Sequence, residues 1–428
     1  MTKSSIEPFG NGAPWSEPAW YNALESPYYN DSHRRLRKFV RDYVEENILP
    51  FEEEWEEAGG VPPEETVKYA RAGFTFQDMP REYRGDLPLP AGIPDEEWDI
   101  FHFMVMSDEL CRVNVGVSSG LSGGSIIGAP PIVRFGTEEQ KRKWLPGIFT
   151  GEVRHCLGVT EPTGGSDVAN LKTIATKTAD GKYYIVNGHK KWITSCMHAT
   201  HMTTAVRTGG PGSKGVSVLV IPTDAPGFRR RIIKNSGVEA SLSTWVDLEN
   251  VKVPVENLIG VENNGFPTLM SNFNKERFLM AIGMNRRART CLAVALDYAH
   301  NRITFGKPLI THQIIKHKFA TMARYIESHW ALLEQIAYHI KIHGFVDELA
   351  SRIALSKVHA GRILEMSNRE AQQVMGGAGY QRGGVGTQVE QISRDLRMLV
   401  VGGGSEEIIA DLAVRQELAN AAKKGVKL

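Results

Sequence analysis

KTIATKTADGKYYIVNG, residues Lys172 to Gly188, is where the chain changes its period. β-Branched residues and tyrosines alternate with polar ones, and a period of two suits a half-buried strand. Asp180-Gly181 and Asn187-Gly188 each supply a dipeptide that hairpin turns favour, because the central residues must adopt positive φ. The same texture runs from Arg154 to about Gly265 and includes GVSVLVIP, Gly215 to Pro222. It predicts a small antiparallel barrel or sandwich of roughly 110 residues.

Helical periodicity flanks this block on both sides. Upstream, HRRLRKFVRDYVEENI puts Leu36, Phe39, Val40, Tyr43 and Val44 on one face. Asp31 or Ser32 can cap that helix, and Pro50 is expected to kink or end it. TEEQKRKWLPGI opens with a capping box, Thr137 with Gln140, and is predicted to stop near Pro146. Downstream, the stretch from Phe266 to Ile303 reads as one long helix. Two more follow, from about Thr311 to His343 and from Val346 to Gln373, the last ending at Gly376-Gly377. Helices, then strands, then helices in separate runs give the α+β class. The expected layout is a tail over 1–30, an N-terminal helical domain over 31–152, a central antiparallel β-barrel or sandwich over 153–264, and a C-terminal four-helix-type bundle over 265–428.

Composition narrows the function. Fifty basic residues against 49 acidic ones leave a formal charge of +1, too little field to hold nucleic acid. The four cysteines, at 111, 156, 196 and 291, lack disulfide or zinc spacing and read as reduced thiols. No apolar run reaches the roughly 18 residues that a membrane helix needs. The first twenty residues contain no arginine, so a mitochondrial presequence is not evident. KKGVKL at the end approaches a peroxisomal address. A soluble intracellular protein, cytoplasmic or peroxisomal, is expected.

Two motifs carry chemistry. GVTEPTGGSD, Gly158 to Asp167, is a glycine loop where a strand ends, and bare backbone N–H groups there let a phosphate approach. NGHKKWIT, Asn187 to Thr194, places Trp192 on a strand, where a tryptophan is more often core than cofactor stack. These two motifs, in this order and about 20 residues apart, resemble the acyl-CoA dehydrogenase family. FGTEEQKRKWLPGIFTGE, RITFGKPLITHQ, QQVMGGAGY and RDLRMLVVGGGSEEI extend the resemblance over nearly the whole chain beyond residue 30.

The resemblance implies FAD, an acyl-CoA substrate and a homotetramer. By position it implies that Thr160 bonds the flavin pyrimidine edge, that Leu157 and Val159 line it, and that Ser166 reaches the pyrophosphate. Trp192 would pack on the isoalloxazine, with Thr194 near N5. Arg302, Phe305, Gln313, Gln373 and Gly377 would reach the FAD of a neighbouring subunit. Ser405 either contacts FAD or caps the last helix, ahead of Glu406 and Glu407. Asn274 and Arg277 match positions that meet the CoA portion.

The implied reaction removes a proton from Cα and a hydride from Cβ of the acyl chain, giving a trans-2-enoyl-CoA. It needs a base. Many members carry a glutamate where this chain has Gly403. Members of the long-chain and isovaleryl type place it instead on the long helix, one residue before an arginine, and here that is Glu276 before Arg277. The residues agree: Leu269, Phe273, Met280 and Met284 recur at helical steps, with Glu276 on the same stripe, and a carboxylate on an apolar stripe is costly unless it is paired or used. Gly403 keeps a backbone N–H for the thioester oxygen. Gly402 and Gly403 together are expected to leave open volume for a long or branched chain.

Electrons would leave to an electron-transfer flavoprotein or to O2, the latter making the protein an oxidase of the same fold. A different class is an FAD-containing nucleic-acid-binding relative, which the balanced charge disfavours. GGPGSKG, Gly209 to Gly215, lacks phosphate-loop spacing, and His198 with His201 lack a third ligand, so no metal site is expected.

Overall fold

The computed structural model describes residues 8–75 and 80–426; Lys427 and Leu428, on which the peroxisomal reading depends, lie outside them. The chain divides into two compact units. One holds Asn47–Asp95 and Val115–Glu276, and the other Met1–Glu46, Glu96–Asn114 and Arg277–Leu428.

The first unit is built on a sheet of eight strands: β1 (His155–Gly158), β2 (Ile174–Lys177), β3 (Tyr183–Ile193), β4 (His201–Arg207), β5 (Val216–Pro222), β6 (Phe228–Ile232), β7 (Thr244–Pro254) and β8 (Leu258–Ile259). Their order is β6-β7-β3-β2-β4-β5-β8, with β1 paired to β4. The path does not close into a barrel among the described residues. Nor is it purely antiparallel, because β4 pairs in parallel with both β1 and β2. Strand β5 shows why its sequence is an unbroken apolar run. Val216, Val218 and Val220 pack with Trp144, Ile148 and Phe149 on one face, while Leu219 and Ile221 pack with Tyr184, Val186 and Val251 on the other. Covered on both sides, the strand has no polar face to alternate.

Asp180-Gly181 makes the β2–β3 turn, with Gly181 at φ 70°. Asn187-Gly188 makes no turn. It lies within β3 at a register shift against β7. A Cβ on Gly188 would stand 2.7 Å from the Thr173 Cα, so the glycine serves a close backbone approach. The capping box at Thr137 and Gln140 forms, yet the helix continues through Pro146 to Thr150. Trp144, Leu145, Ile148 and Phe149 are buried on that helix, and their packing outweighs the proline's lost hydrogen bond.

The second unit is helical: Asp31–Asn47, Ile100–Leu110, Phe273–Asn301, Gln313–His343, Ala350–Met375, Thr387–Val401 and Glu406–Lys423, with a small hairpin of β9 (Ile303–Thr304) and β10 (Lys307–Pro308). Asn30, not Asp31 or Ser32, caps the first of these: its Oδ1 accepts from the Ser32 and His33 N–H groups. The N-terminal segment is pinned by buried arginines. Arg289 donates to the Trp15 and Glu17 carbonyls, Arg286 donates to the Ser16 carbonyl, and Arg286 and Arg41 both pair with the Glu17 carboxylate.

The long helix read from Phe266 onward is two helices, Gly265–Met270 and Phe273–Asn301. The Ser271 hydroxyl bonds back to the Thr268 carbonyl, and the Asn272 carbonyl accepts the Glu276 N–H, so the chain restarts at Asn272. Leu269 therefore does not share a helical stripe with Glu276.

Candidate active site

In the sheet unit the glycine loop is held from beneath by an ion pair. Lys190 on β3 is fully buried; its ammonium donates to Glu161 Oε1 at 2.8 Å and to the Val159 carbonyl at 3.2 Å. Glu161 also accepts the backbone N–H groups of Lys172 and Thr173. Burial pushes the Glu161 carboxyl up, but the Lys190 charge and these donors outweigh it and hold it below its ordinary value. The sequence reading missed this pair. Its only signal is a lysine at a position that the alternation of β3 turns inward.

Around that anchor lie the six residues expected at a flavin. Leu157 and Thr160 are half-buried and Val159 is buried. The Thr160 carbonyl accepts the Lys191 N–H at 2.9 Å, which ties the loop to the strand bearing Trp192. Trp192 is 51% exposed at φ 58°, with the Lys191 ammonium 4.1 Å from its ring centroid. A core tryptophan would be covered; this one presents a face. Thr194 follows β3 and is half-buried, Ser166 is exposed, and a Cβ on Gly165 would meet nothing within 4 Å.

Glu276 lies in the first turn of helix Phe273–Asn301 and is half-buried, less covered than an apolar stripe implied. The Asn272 side chain donates to its Oε1 at 2.7 Å. Asn274 is half-buried nearby on the same helix.

In the helical unit, Gly403 has φ 65° and Gly404 φ 108°. Arg277 is buried, and its Nε donates to the Gly403 carbonyl at 3.0 Å. The Gly403 N–H has no hydrogen-bond partner among the described residues. The expected open volume at the glycines is not there. A Cβ on Gly403 would stand 2.9 Å from the Met280 Sδ, and one on Gly402 3.2 Å from the Met280 Cε, so a flexible methionine fills the space. Arg302, Phe305, Gln313, Gln373 and Gly377 are all exposed, Phe305 to 94%. Ser405 occupies the N-cap of the last helix but makes no capping bond with its side chain. The Glu407 carboxylate, in the first turn of that helix, is held below its ordinary value by its own N–H and then by the Ser405 hydroxyl.

His33, Asp99 and His102 bring possible metal-ligand atoms within 4.8 Å of one another. Their groups are already engaged. Asp99 caps helix Ile100–Leu110, each imidazole bonds Asp99 with one nitrogen and Asn30 or Ser32 with the other, and the Lys341 ammonium lies 2.8 Å from the carboxylate. This is a helix-cap network facing a cation of its own.

Comparison with known proteins decides the family. The N-terminal, middle and C-terminal domain models of acyl-CoA dehydrogenases match residues 30–152, 156–251 and 263–418. The chain belongs to the acyl-CoA dehydrogenase family. It is 44% identical over 419 residues to the acyl-CoA dehydrogenase AFT10-1 of Alternaria alternata, covering 96% of each chain. A probable acyl-CoA dehydrogenase structure from Mycobacterium abscessus superposes with TM-score 0.82 at 32% identity, covering 92% of this chain and 99% of that one. An acyl-CoA dehydrogenase of Bacillus anthracis, solved with FAD, gives TM-score 0.83 at 25% identity over 94% of this chain and 69% of its own.

This acyl-CoA dehydrogenase is thus an oxidoreductase that dehydrogenates an acyl-CoA with FAD. Its residues suit that cofactor. An uncovered tryptophan face beside an open glycine loop on a rigid sheet fits a flat ring with a pyrophosphate tail. No helix of the described residues is long and apolar enough to cross a membrane.

Proposed function

We propose that Glu276 is the base that takes the α-proton of a long or branched fatty acyl-CoA, and that the product is the trans-2-enoyl-CoA. One observation carries this reading. The glycine turn at 402–404 has no carboxylate to offer, while Glu276 is held by Asn272 in the first turn of its helix. The start of a helix favours an anion, which suits a carboxylate that must be ionised before it accepts a proton.

The thioester oxygen gains negative charge as the α-proton leaves, and a backbone N–H aimed at it stabilises that charge. Gly403 supplies the donor: a backbone N–H with no other partner among the described residues, on a turn whose carbonyl Arg277 holds. FAD, when bound, supplies the hydride acceptor for Cβ. Leu157, Val159, Thr160, Ser166, Trp192 and Thr194 would hold it from one subunit. Arg302, Phe305, Gln313, Gln373, Gly377 and Ser405 would do so from a neighbour in a homotetramer. The exposure of Phe305 above all supports such a covering partner. Asn274 and Arg277 are proposed at the CoA portion, although Arg277 also serves the glycine turn. Met280 stands one helical turn beyond Glu276 and is adaptable enough to admit chains of different shape. Electron-transfer flavoprotein or O2 is the proposed acceptor, and the four segments read from the sequence are proposed as the domain division.

Anaerobic titration of the yellow protein with acyl-CoAs of graded length and branching tests the reading. Glu276→Gln should keep its colour and bleach about a thousandfold more slowly. Bleaching near the wild-type rate would place the base elsewhere.

A further inference from the structure

Lys357, on helix Ala350–Met375, is 2% exposed, and its ammonium meets no carboxylate among the described residues. A buried ammonium without a carboxylate is expensive. Burial draws it down to about 8, with the Arg277 charge adding to the effect and Glu406 opposing it, so it remains largely charged at neutral pH. Its acceptors are two backbone carbonyls: Val400 at 2.6 Å and Gly404 at 2.8 Å.

Those carbonyls bracket the glycine turn. Val400 belongs to the last turn of helix Thr387–Val401, whose end carries unsatisfied carbonyls and a partial negative charge. Gly404 closes the turn. Between them the Gly402 N–H bonds Met398, and the Gly403 carbonyl goes to Arg277. Two cations from two other helices thus hold the carbonyls of 400, 403 and 404, and the Gly403 N–H, like that of Gly404, is left without a partner among the described residues. Without a cation, the end of helix Thr387–Val401 would set a negative partial charge beside the N–H that must receive a developing oxyanion. A neutral donor could satisfy the same carbonyls more cheaply. A charge there has a use only if the local potential matters.

We propose that Lys357 is a positioning residue for α-proton removal: it fixes the Val400 and Gly404 carbonyls so that the Gly403 N–H faces the thioester oxygen, and its charge offsets the negative end of helix Thr387–Val401. The proposal rests on the reading that the Gly403 N–H binds that oxygen.

The test uses the FAD-loaded full chain, with Lys357→Met, Lys357→Arg and Glu276→Gln beside the wild type. Two probes separate chemistry from fit. A 3-thiaacyl-CoA can lose its α-proton but has sulfur at the β position, so it stops at the enolate, whose charge-transfer absorbance with oxidised flavin reads oxyanion stabilisation. An S-alkyl-CoA thioether of equal length has no carbonyl and reads fit alone. Lys357→Met should form about ten- to a hundredfold less enolate, because a misaimed donor forfeits part of an oxyanion contact. Thioether affinity should stay within about twofold, and Lys357→Arg should recover most of the enolate. If Lys357→Met yields no flavoprotein, Lys357→Gln replaces it with the same expectations. Undiminished enolate in the neutral variant, or enolate and thioether binding lost together, would overturn the proposal. Glu276→Gln should bind both probes and form no enolate. Enolate in that variant would remove the base reading and this proposal with it, whereas a silent Glu276→Gln beside an unaffected Lys357→Met would remove this proposal alone.

Discussion

Trp192 and Met280 show what a single residue can and cannot disclose. A strand tryptophan is core by default, and nothing in NGHKKWIT says otherwise. Its left-handed backbone and uncovered ring become visible only when the strand is built. The missing side chains at Gly402 and Gly403 were legible, but the space beside them was not, because the atom that fills it belongs to a helix more than a hundred residues earlier. On the proposed reading, Met280 is the side chain that an acyl chain meets near the glycine turn. Met280→Ala should raise kcat/KM for long chains over short ones by about tenfold, since a few methylenes in an apolar pocket are worth that much. Steady-state assays across an acyl-CoA series check this; an equal change at every length would detach Met280 from the chain.

At the scale of elements, the sequence located the helices and strands better than their interruptions. The capping box at Thr137 was readable because its partners are three residues apart. The restart at Asn272 was hidden because an unbroken apolar period runs across the local bonds of Ser271 and Asn272. The continuation past Pro146 and the bulge at Gly188 were not legible either, because each is decided by a contact distant in sequence or by packing that overrides local preference. The glycine loop's anchor is of the same kind: Glu161 and Lys190 are 29 residues apart and meet only across the sheet. Lys190→Met would leave a buried carboxylate without its cation, a loss of about 3–5 kcal/mol. Thermal melts should fall accordingly, and FAD should dissociate more readily from the loosened loop. The pH dependence has a fixed sign. Glu161 is held below its ordinary 4.5 in the fold, so the stability it contributes is complete above that pH and is lost as the pH falls through the folded value. Lys190→Met should flatten that acid limb in melts run from about pH 7 to about pH 3, and an unchanged limb would show that other carboxylates dominate it.

For the whole molecule, the order of helices, strands and helices was legible from periodicity alone. The open, partly parallel sheet was not, since parallel pairing joins strands distant in sequence. The division of the chain into two compact units, one of them assembled from three separate stretches, was equally hidden. Phe305 stands almost fully in solvent at φ 51° on the turn between β9 and β10, an expensive place for a phenyl ring in an isolated subunit. Phe305→Asp should shift light-scattering mass toward smaller species and weaken FAD retention; an unchanged mass and full flavin would separate that hairpin from assembly. The proposed reaction depends on one carboxylate acting as a base. The most direct measurement is proton exchange at Cα of bound 3-thiaacyl-CoA in D2O, followed by NMR, because sulfur at the β position prevents hydride loss and leaves only deprotonation. The wild-type enzyme should exchange the α-proton quickly, and Glu276→Gln should do so about a thousandfold more slowly at equal binding. Exchange at the wild-type rate in that variant would contradict the account.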